Sequence, residues 1–93
     1  MIRSFANVET ERLFITGRSR RLAADVVERA KRKLQILDNA TDLRDLASSP
    51  GNRLEALRGE REGQYSIRIN DQFRLCFRWE NGDVYDVEVV DYH

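Results

Sequence analysis

The chain closes on Asp91-Tyr92-His93, a carboxylate, a phenol and an imidazole in consecutive positions. All three are side chains that transfer protons or hold them in hydrogen bonds. His93 is the one histidine and Cys76 the one cysteine in 93 residues, so a metal centre of imidazoles and thiolates is not expected and no disulfide can close within the chain. No cofactor is expected either, since a Gly-rich phosphate loop, a serine elbow and an HExxH helix are all missing. A terminal histidine taken alone most often belongs to a solvated chain end. The triplet gains weight only if other groups converge on it. Arg58, Arg68 and Arg74 are the groups that would do so, because a guanidinium stays protonated and its fork matches the oxygens of a phosphate.

Whether they converge depends on the elements that carry them. Ile2 to Phe5 read as a short opening strand. Asn7 caps a helix to about Ile15, closed by Gly17, which enters the left-handed region cheaply. Ser19 is expected to cap a second helix, in which Leu22, Val26, Ala30, Leu34 and Leu37 recur at three- and four-residue steps to about Asp38. Thr41 and Asp42 begin a short third helical turn ending near Ala47, and the stretch 18–21 is expected to be disordered. Beyond Ser48-Ser49-Pro50-Gly51-Asn52 the period drops to two. Leu54 and Leu57 mark one strand; Tyr65, Ile67 and Ile69 a second; Phe73 to Trp79 a third; Tyr85, Val87 and Val89 a fourth. The expectation is one α+β domain over residues 1–93, with an N-terminal strand and two to three helices on one face of an antiparallel sheet.

Paired strands must match their apolar faces, and this fixes a register. In the hairpin around Asn70-Asp71, Ile67 falls opposite Leu75 and Tyr65 opposite Phe77, which sets Arg68 against Arg74. In the next hairpin a strict two-residue Asn81-Gly82 loop would place Phe77 opposite Asp86 and mix the faces. A longer loop or a bulge near Asn81 to Asp83 is therefore expected, giving Phe77 with Val87, Leu75 with Val89, Arg78 with Asp86 and Arg74 with Val90. Opposed arginines with no carboxylate between them would be a site awaiting an anion, with Arg58 adding a third charge and Tyr92 on the same side. The alternative is that Glu55 or Glu60 reaches in and pairs with one of them. Cys76 alternates onto the arginine face and is read as a half-buried small residue.

Composition narrows the class. The chain is 41% hydrophobic and 34% charged, too apolar for disorder and too charged for a membrane span. It has no apolar run of about 18 residues and no leader-like opening, so a cytoplasmic protein that does not engage membranes is expected. Sixteen basic and sixteen acidic side chains give no net charge, which argues against binding nucleic acid by overall potential. The charges are nonetheless segregated. Residues 1–37 hold nine basic groups against four acidic, whereas residues 79–93 hold five acids and no Lys or Arg. The run Arg29 to Lys33 is read as a solvated helix face.

The segments Asn52-Arg53-Leu54-Glu55-Ala56-Leu57-Arg58-Gly59, Gly63 to Asn70, Gln72 to Phe77 and the ending Val90-Asp91-Tyr92-His93, together with Met1 to Phe5, closely resemble HigB-type toxins of the RelE superfamily. These are also called plasmid-maintenance killer proteins, with GraT a near relative. The resemblance implies a small fold like that of microbial ribonucleases and a type II toxin that cleaves messenger RNA in the ribosomal A site, inhibiting translation. It implies a helix-turn-helix antitoxin of the HigA type, and contact with operator DNA only through the toxin–antitoxin complex. Carried over residue by residue, it places function on Arg58, Arg74, Asp91, Tyr92 and His93, and the register adds Arg68. The implied chemistry needs no metal: arginines stabilise the phosphorane, His93 serves as general acid or base, Asp91 orients it or is itself the base, and Tyr92 stacks on a nucleobase or holds the phosphate.

Some relatives carry a histidine where this chain has Glu55, so a two-histidine scheme cannot operate. Glu55 is then a candidate base, or it only neutralises an arginine. Two further readings remain: a non-nucleolytic poison on the same fold, like the ParE relatives that inhibit DNA gyrase, and a module that binds a protein or ribosomal RNA without cutting.

Overall fold

The computed structural model describes residues 1–92. Helix α1, Val8–Thr16, begins where Asn7 Oδ1 accepts the Thr10 amide at 2.8 Å, and it ends at Gly17, whose φ of 72° lets its N–H reach Leu13 O at 2.9 Å. Helix α2, Ala24–Asn39, buries Val26, Ala30, Leu34 and Leu37, as their spacing requires. It starts later than expected. Ser19 Oγ accepts the amides of Arg21 at 3.2 Å and Leu22 at 3.3 Å, closing a turn of its own, and the N-cap of α2 is Ala23 with no side-chain bond. A hydroxyl that satisfies two nearby amides competes with helix at the position where it would otherwise cap one. Residues 18–21, expected to be disordered, lie in this turn, and Arg21 is tied to Glu9 of α1 at 3.0 Å. Helix α3, Leu43–Ala47, opens with a capping box between Asp42 and Asp45. No helix among the described residues is long and apolar enough to cross a membrane.

Four strands follow: β1 Glu55–Ala56, β2 Gln64–Arg68, β3 Phe73–Glu80 and β4 Asp83–Asp91, antiparallel in the order β1-β2-β3-β4. The expected opening strand is reduced to two isolated parallel bridges beside β4, Ile2 with Val84 and Phe5 with Val87. The helices cover one sheet face, where Leu13, Leu34, Leu37 and Leu46 pack with Ile67, Leu75, Phe77, Val84 and Val87 at 0–1% exposure. Each such side chain contributes roughly 1.5–3 kcal/mol by leaving water.

The first hairpin has the expected register, with Ile67 opposite Leu75 and Arg68 opposite Arg74. The second corrects the expectation. Its turn is a tight two-residue one, with Asn81 at φ 50° and Gly82 at φ 83° between the paired Glu80 and Asp83. The offset appears instead in mid-strand, where Asp86 takes φ 54° and the register shifts between Cys76 and Arg78. Leu75 opposite Val89 and Arg74 opposite Val90 are as expected, but Arg78 pairs with Tyr85. The reason is Val84. Both Val84 and Val87 are fully buried, and residues three apart share a sheet face only if one residue is inserted between them. Tyr85 thereby moves to the outer face, with the Arg78 guanidinium 5.8 Å from its ring centre. Arg78 still meets Asp86 at 2.9 Å, across the bulge. Ser4 supports the bulge by accepting the Asp86 amide at 2.9 Å.

Candidate active site

The sheet face turned away from the helices is built around Arg74 of β3, which is only 8% exposed. A guanidinium this buried must satisfy its donors locally. Its Nε donates to Ser66 Oγ at 2.8 Å, and its Nη2 donates to Ser66 O at 3.4 Å and to the Arg53 carbonyl. Arg53 sits at φ 44°, closing the 3-10 turn Pro50–Asn52. The third side of Arg74 is closed by Glu55 of β1, its Oε1 3.4 Å from Nη1 and its side chain 56% exposed. Over the guanidinium lies the ring of Tyr92, 5.8 Å from centre to Cζ, a cation–π distance.

Beneath Tyr92 is Cys76, fully buried and not half-buried as its small size and alternation suggest. Burial pushes its thiol pKa up, and Glu88 adds to this while Arg61 and Arg74 oppose it. Burial raises the Tyr92 phenol in the same way, with Cys76 adding and Arg74 opposing. A neutral thiol and a neutral phenol therefore sit beside the fixed positive charge of Arg74. Arg61 completes the face, bridging Gln64 at 3.1 Å and Glu88 at 3.2 Å.

The structure brings Arg74, Glu55 and Tyr92 together. It does not place the other candidates with them. Arg68 stands opposite Arg74 in the ladder, but its guanidinium pairs with Asp71 of the hairpin turn. The expected opening for an anion between two unpaired arginines is thus absent, because each takes its own carboxylate, Glu55 for Arg74 and Asp71 for Arg68. Arg58 is exposed at the start of the 3-10 turn Gly59–Arg61 and makes no ion pair among the described residues. Asp91 lies opposite Phe73, so its side chain belongs to the helix-side face. There it accepts from Gln72 Nε2 at 3.1 Å and borders a cavity of about 450 Å³ lined by Asn7, Thr10 and Leu13. His93 lies outside the described residues.

Ser66 and Arg53, which hold Arg74, were not singled out from the sequence, nor was Arg61. Ser66 had a signal in the register, since it alternates onto the arginine face opposite Cys76. Arg53 acts through a backbone carbonyl, and no residue type announces that.

A helix layer thus lies on a four-stranded antiparallel sheet of order β1-β2-β3-β4. The fold is similar to two solved structures from Staphylococcus aureus, a heterotetrameric complex of the YoeB–YefM toxin–antitoxin and a YoeB–YefM complex. One has a TM-score of 0.61 at 18% identity and the other 0.58 at 16%, each over 100% of this chain and 98% of the other. The sequence is more specific: residues 3–93 match the HigB-like toxin model, described as the RelE-like toxin of the type II toxin–antitoxin system HigB, and the chain belongs to that family. It is 36% identical over 93 residues to the endoribonuclease HigB of Proteus vulgaris, covering 100% of both chains. It is 41% identical over 83 residues to the toxin HigB-1 of Vibrio cholerae, covering 88% of this chain and 87% of that one.

Proposed function

We propose that this chain is the toxin of a type II pair and cleaves messenger RNA in the ribosomal A site, its 93 residues acting as one catalytic domain with no metal. The observation that carries this reading is the Arg74–Glu55 pair: a guanidinium fixed on two sides by Ser66 and Arg53, and closed on the third only by an exposed carboxylate 3.4 Å away. A substrate phosphate is a stronger partner for that third side than a solvated carboxylate is. When it docks on Arg74, Glu55 is displaced towards the neighbouring ribose.

In the resulting reaction Glu55 takes the proton of the 2′-hydroxyl, and the 2′-oxygen attacks the adjacent phosphorus. Arg74 stabilises the charge of the phosphorane, and the bond to the 5′-oxygen breaks as that oxygen receives a proton from His93. The products are a 2′,3′-cyclic phosphate and a free 5′-hydroxyl. Tyr92, held over Arg74 and 43% exposed, stacks on a nucleobase beside the scissile bond. Arg58 and Arg68 hold flanking phosphates. Of the two carboxylates that qualify as base, Glu55 shares the face of Arg74, and this supports it over Asp91, which accepts from Gln72 on the other face. The partners are the ribosome, messenger RNA and a helix-turn-helix antitoxin of the HigA type, with operator DNA reached only through the complex, all in the cytoplasm.

The test is primer extension on a defined message with purified protein, with and without programmed ribosomes, comparing wild type with His93→Ala. Cuts at A-site codons that need ribosomes and vanish in the variant are expected. An intact message under conditions where the protein still arrests growth would overturn the reading in favour of a gyrase poison.

A further inference from the structure

A solvated face is the simple expectation for Arg29 to Lys33, but the structure divides the run. Lys31 turns to Glu28 at 3.5 Å. Lys33 turns inward and is half-buried, its Nζ donating to Asn52 Oδ1 at 2.6 Å. There it meets Arg68 from the end of β2, and with Arg29, Arg32 and Gly51 the two line a groove of about 330 Å³. Four cations gather in one place. The carboxylate paired there is that of Asp71, bound to Arg68 and 98% exposed. The side chains of Arg29 and Arg32 make no hydrogen bond or ion pair among the described residues. Repulsion is evident on Lys33, whose pKa lies below the ordinary lysine value through burial first and then the charges of Arg68 and Arg29. Like charges held together without a fixed neutraliser cost stability.

The groove adjoins the site described above: Lys33 is bound to Asn52, the carbonyl of the next residue, Arg53, accepts from Arg74, and Arg68 lies opposite Arg74 in the ladder of β2 and β3 although its guanidinium turns to Asp71. Opposed side chains in such a pair begin about 5 Å apart. The positive groups of the groove, Arg68, Lys33, Arg29 and Arg32, therefore lie next to Arg74 by way of Asn52 and Arg53. We propose that this set of charges binds the sugar–phosphate backbone of the substrate strand on one side of the cleaved bond, with Arg74 on the scissile phosphate and the α2 groove on phosphates further along. The assignment rests on the cleavage reading above. An acidic peptide would meet the same charges, but it would have no reason to lie next to a phosphate-cleaving centre.

The experiment compares wild type with Arg29→Gln/Arg32→Gln, two exposed helix positions where glutamine keeps helix propensity. Both proteins are assayed on ribosomes programmed with a full message and with messages truncated just beyond the A-site codon on either side. On the full message the variant should show a raised KM with kcat retained. Its salt dependence of kcat/KM on a double-logarithmic plot should be shallower by about 0.7 for each phosphate that the variant no longer neutralises. Truncating the side that lies in the groove should raise the wild-type KM and erase the difference between the two proteins. A variant equal to wild type on the full message overturns the proposal. A defect that persists unchanged on both truncated messages also overturns it and assigns the two arginines to ribosomal RNA. A wild-type protein that cuts no message removes the parent reading, and the groove assignment falls with it.

Discussion

Replacing Glu55 by glutamine separates a catalytic carboxylate from a merely neutralising one, because the structure sets very different magnitudes for the two roles. The Glu55–Arg74 pair spans 3.4 Å and its carboxylate is 56% exposed. Half-solvated pairs of this kind contribute about 0–1 kcal/mol. Arg74 also keeps its bonds to Ser66 and Arg53 when Glu55 changes. The expected loss of stability is therefore under about 1 kcal/mol, which in a domain of this size moves Tm by no more than about 4–8 °C. Removing the group that takes the 2′-hydroxyl proton should instead lower kcat by about 10²–10⁴-fold. The assay is single-turnover cleavage on programmed ribosomes beside urea unfolding of the same samples. A variant that unfolds like wild type and still cleaves within a few-fold of its rate would refute the base assignment. Collapse of fold and activity together would make Glu55 a structural partner of Arg74 and nothing more.

Ser66→Ala removes the acceptor of a buried charged N–H, so unfolding should show a loss of about 1–3 kcal/mol, with kcat falling as the guanidinium loses its fixed direction; unchanged stability would mean that Arg74 re-pairs without cost. Cys76 has a raised pKa in the folded chain, so both states keep the thiol proton below the ordinary value of about 8.5. Above that value the unfolded chain releases the proton while the folded one holds it, and stability falls as pH rises towards the folded pKa. Urea midpoints measured from pH 7 to 10 should show this decline in wild type and a flatter profile in Cys76→Ala; parallel profiles would refute it. At Asp86, φ 54° suits glycine and strains a β-branched side chain. Asp86→Val should therefore be less stable than Asp86→Gly by about 1–3 kcal/mol, and equal urea midpoints would place the strain elsewhere.

How much of this was legible follows from which residues carry a period. The core of α2 and the first hairpin were readable because burial on one face imposes spacings of 3.6 and 2. The start of α2 was not, because Ser19 is equally suited to cap a helix or to close a turn, and only the packing of Leu22 against the core selects the turn. In the second hairpin the one-residue offset was legible but its position was not. Tyr85, Val87 and Val89 alternate as cleanly as a core stripe should, and only the burial of Val84 shows that the stripe changes parity at Asp86. The Lys33–Arg68 meeting was hidden for a different reason: helix spacing does not tell which charged residue comes to the end of a strand. The site was legible as a set of residue types more than as a place, since its fixed parts include a backbone carbonyl and a serine.

The bulge also decides whether Asp91 or Tyr92 faces Arg74. Consecutive residues of a strand point to opposite faces, so a cluster of chemistry in the sequence cannot be a cluster on one side of a sheet. A ladder continued from the Asn81-Gly82 turn without the inserted residue would reverse every side chain beyond it. Asp91 would then stand on the face of Arg74, and Tyr92 would point among the helices. With Asp86 inserted, Tyr92 covers the guanidinium and Asp91 joins Gln72 and the cavity beside α1. Ser4, which accepts the Asp86 amide, ties that choice to the first residues of the chain. Of the carboxylates Glu55 and Asp91, it is therefore Glu55 on β1 that stands beside Arg74, which is why the proposed base is sought there.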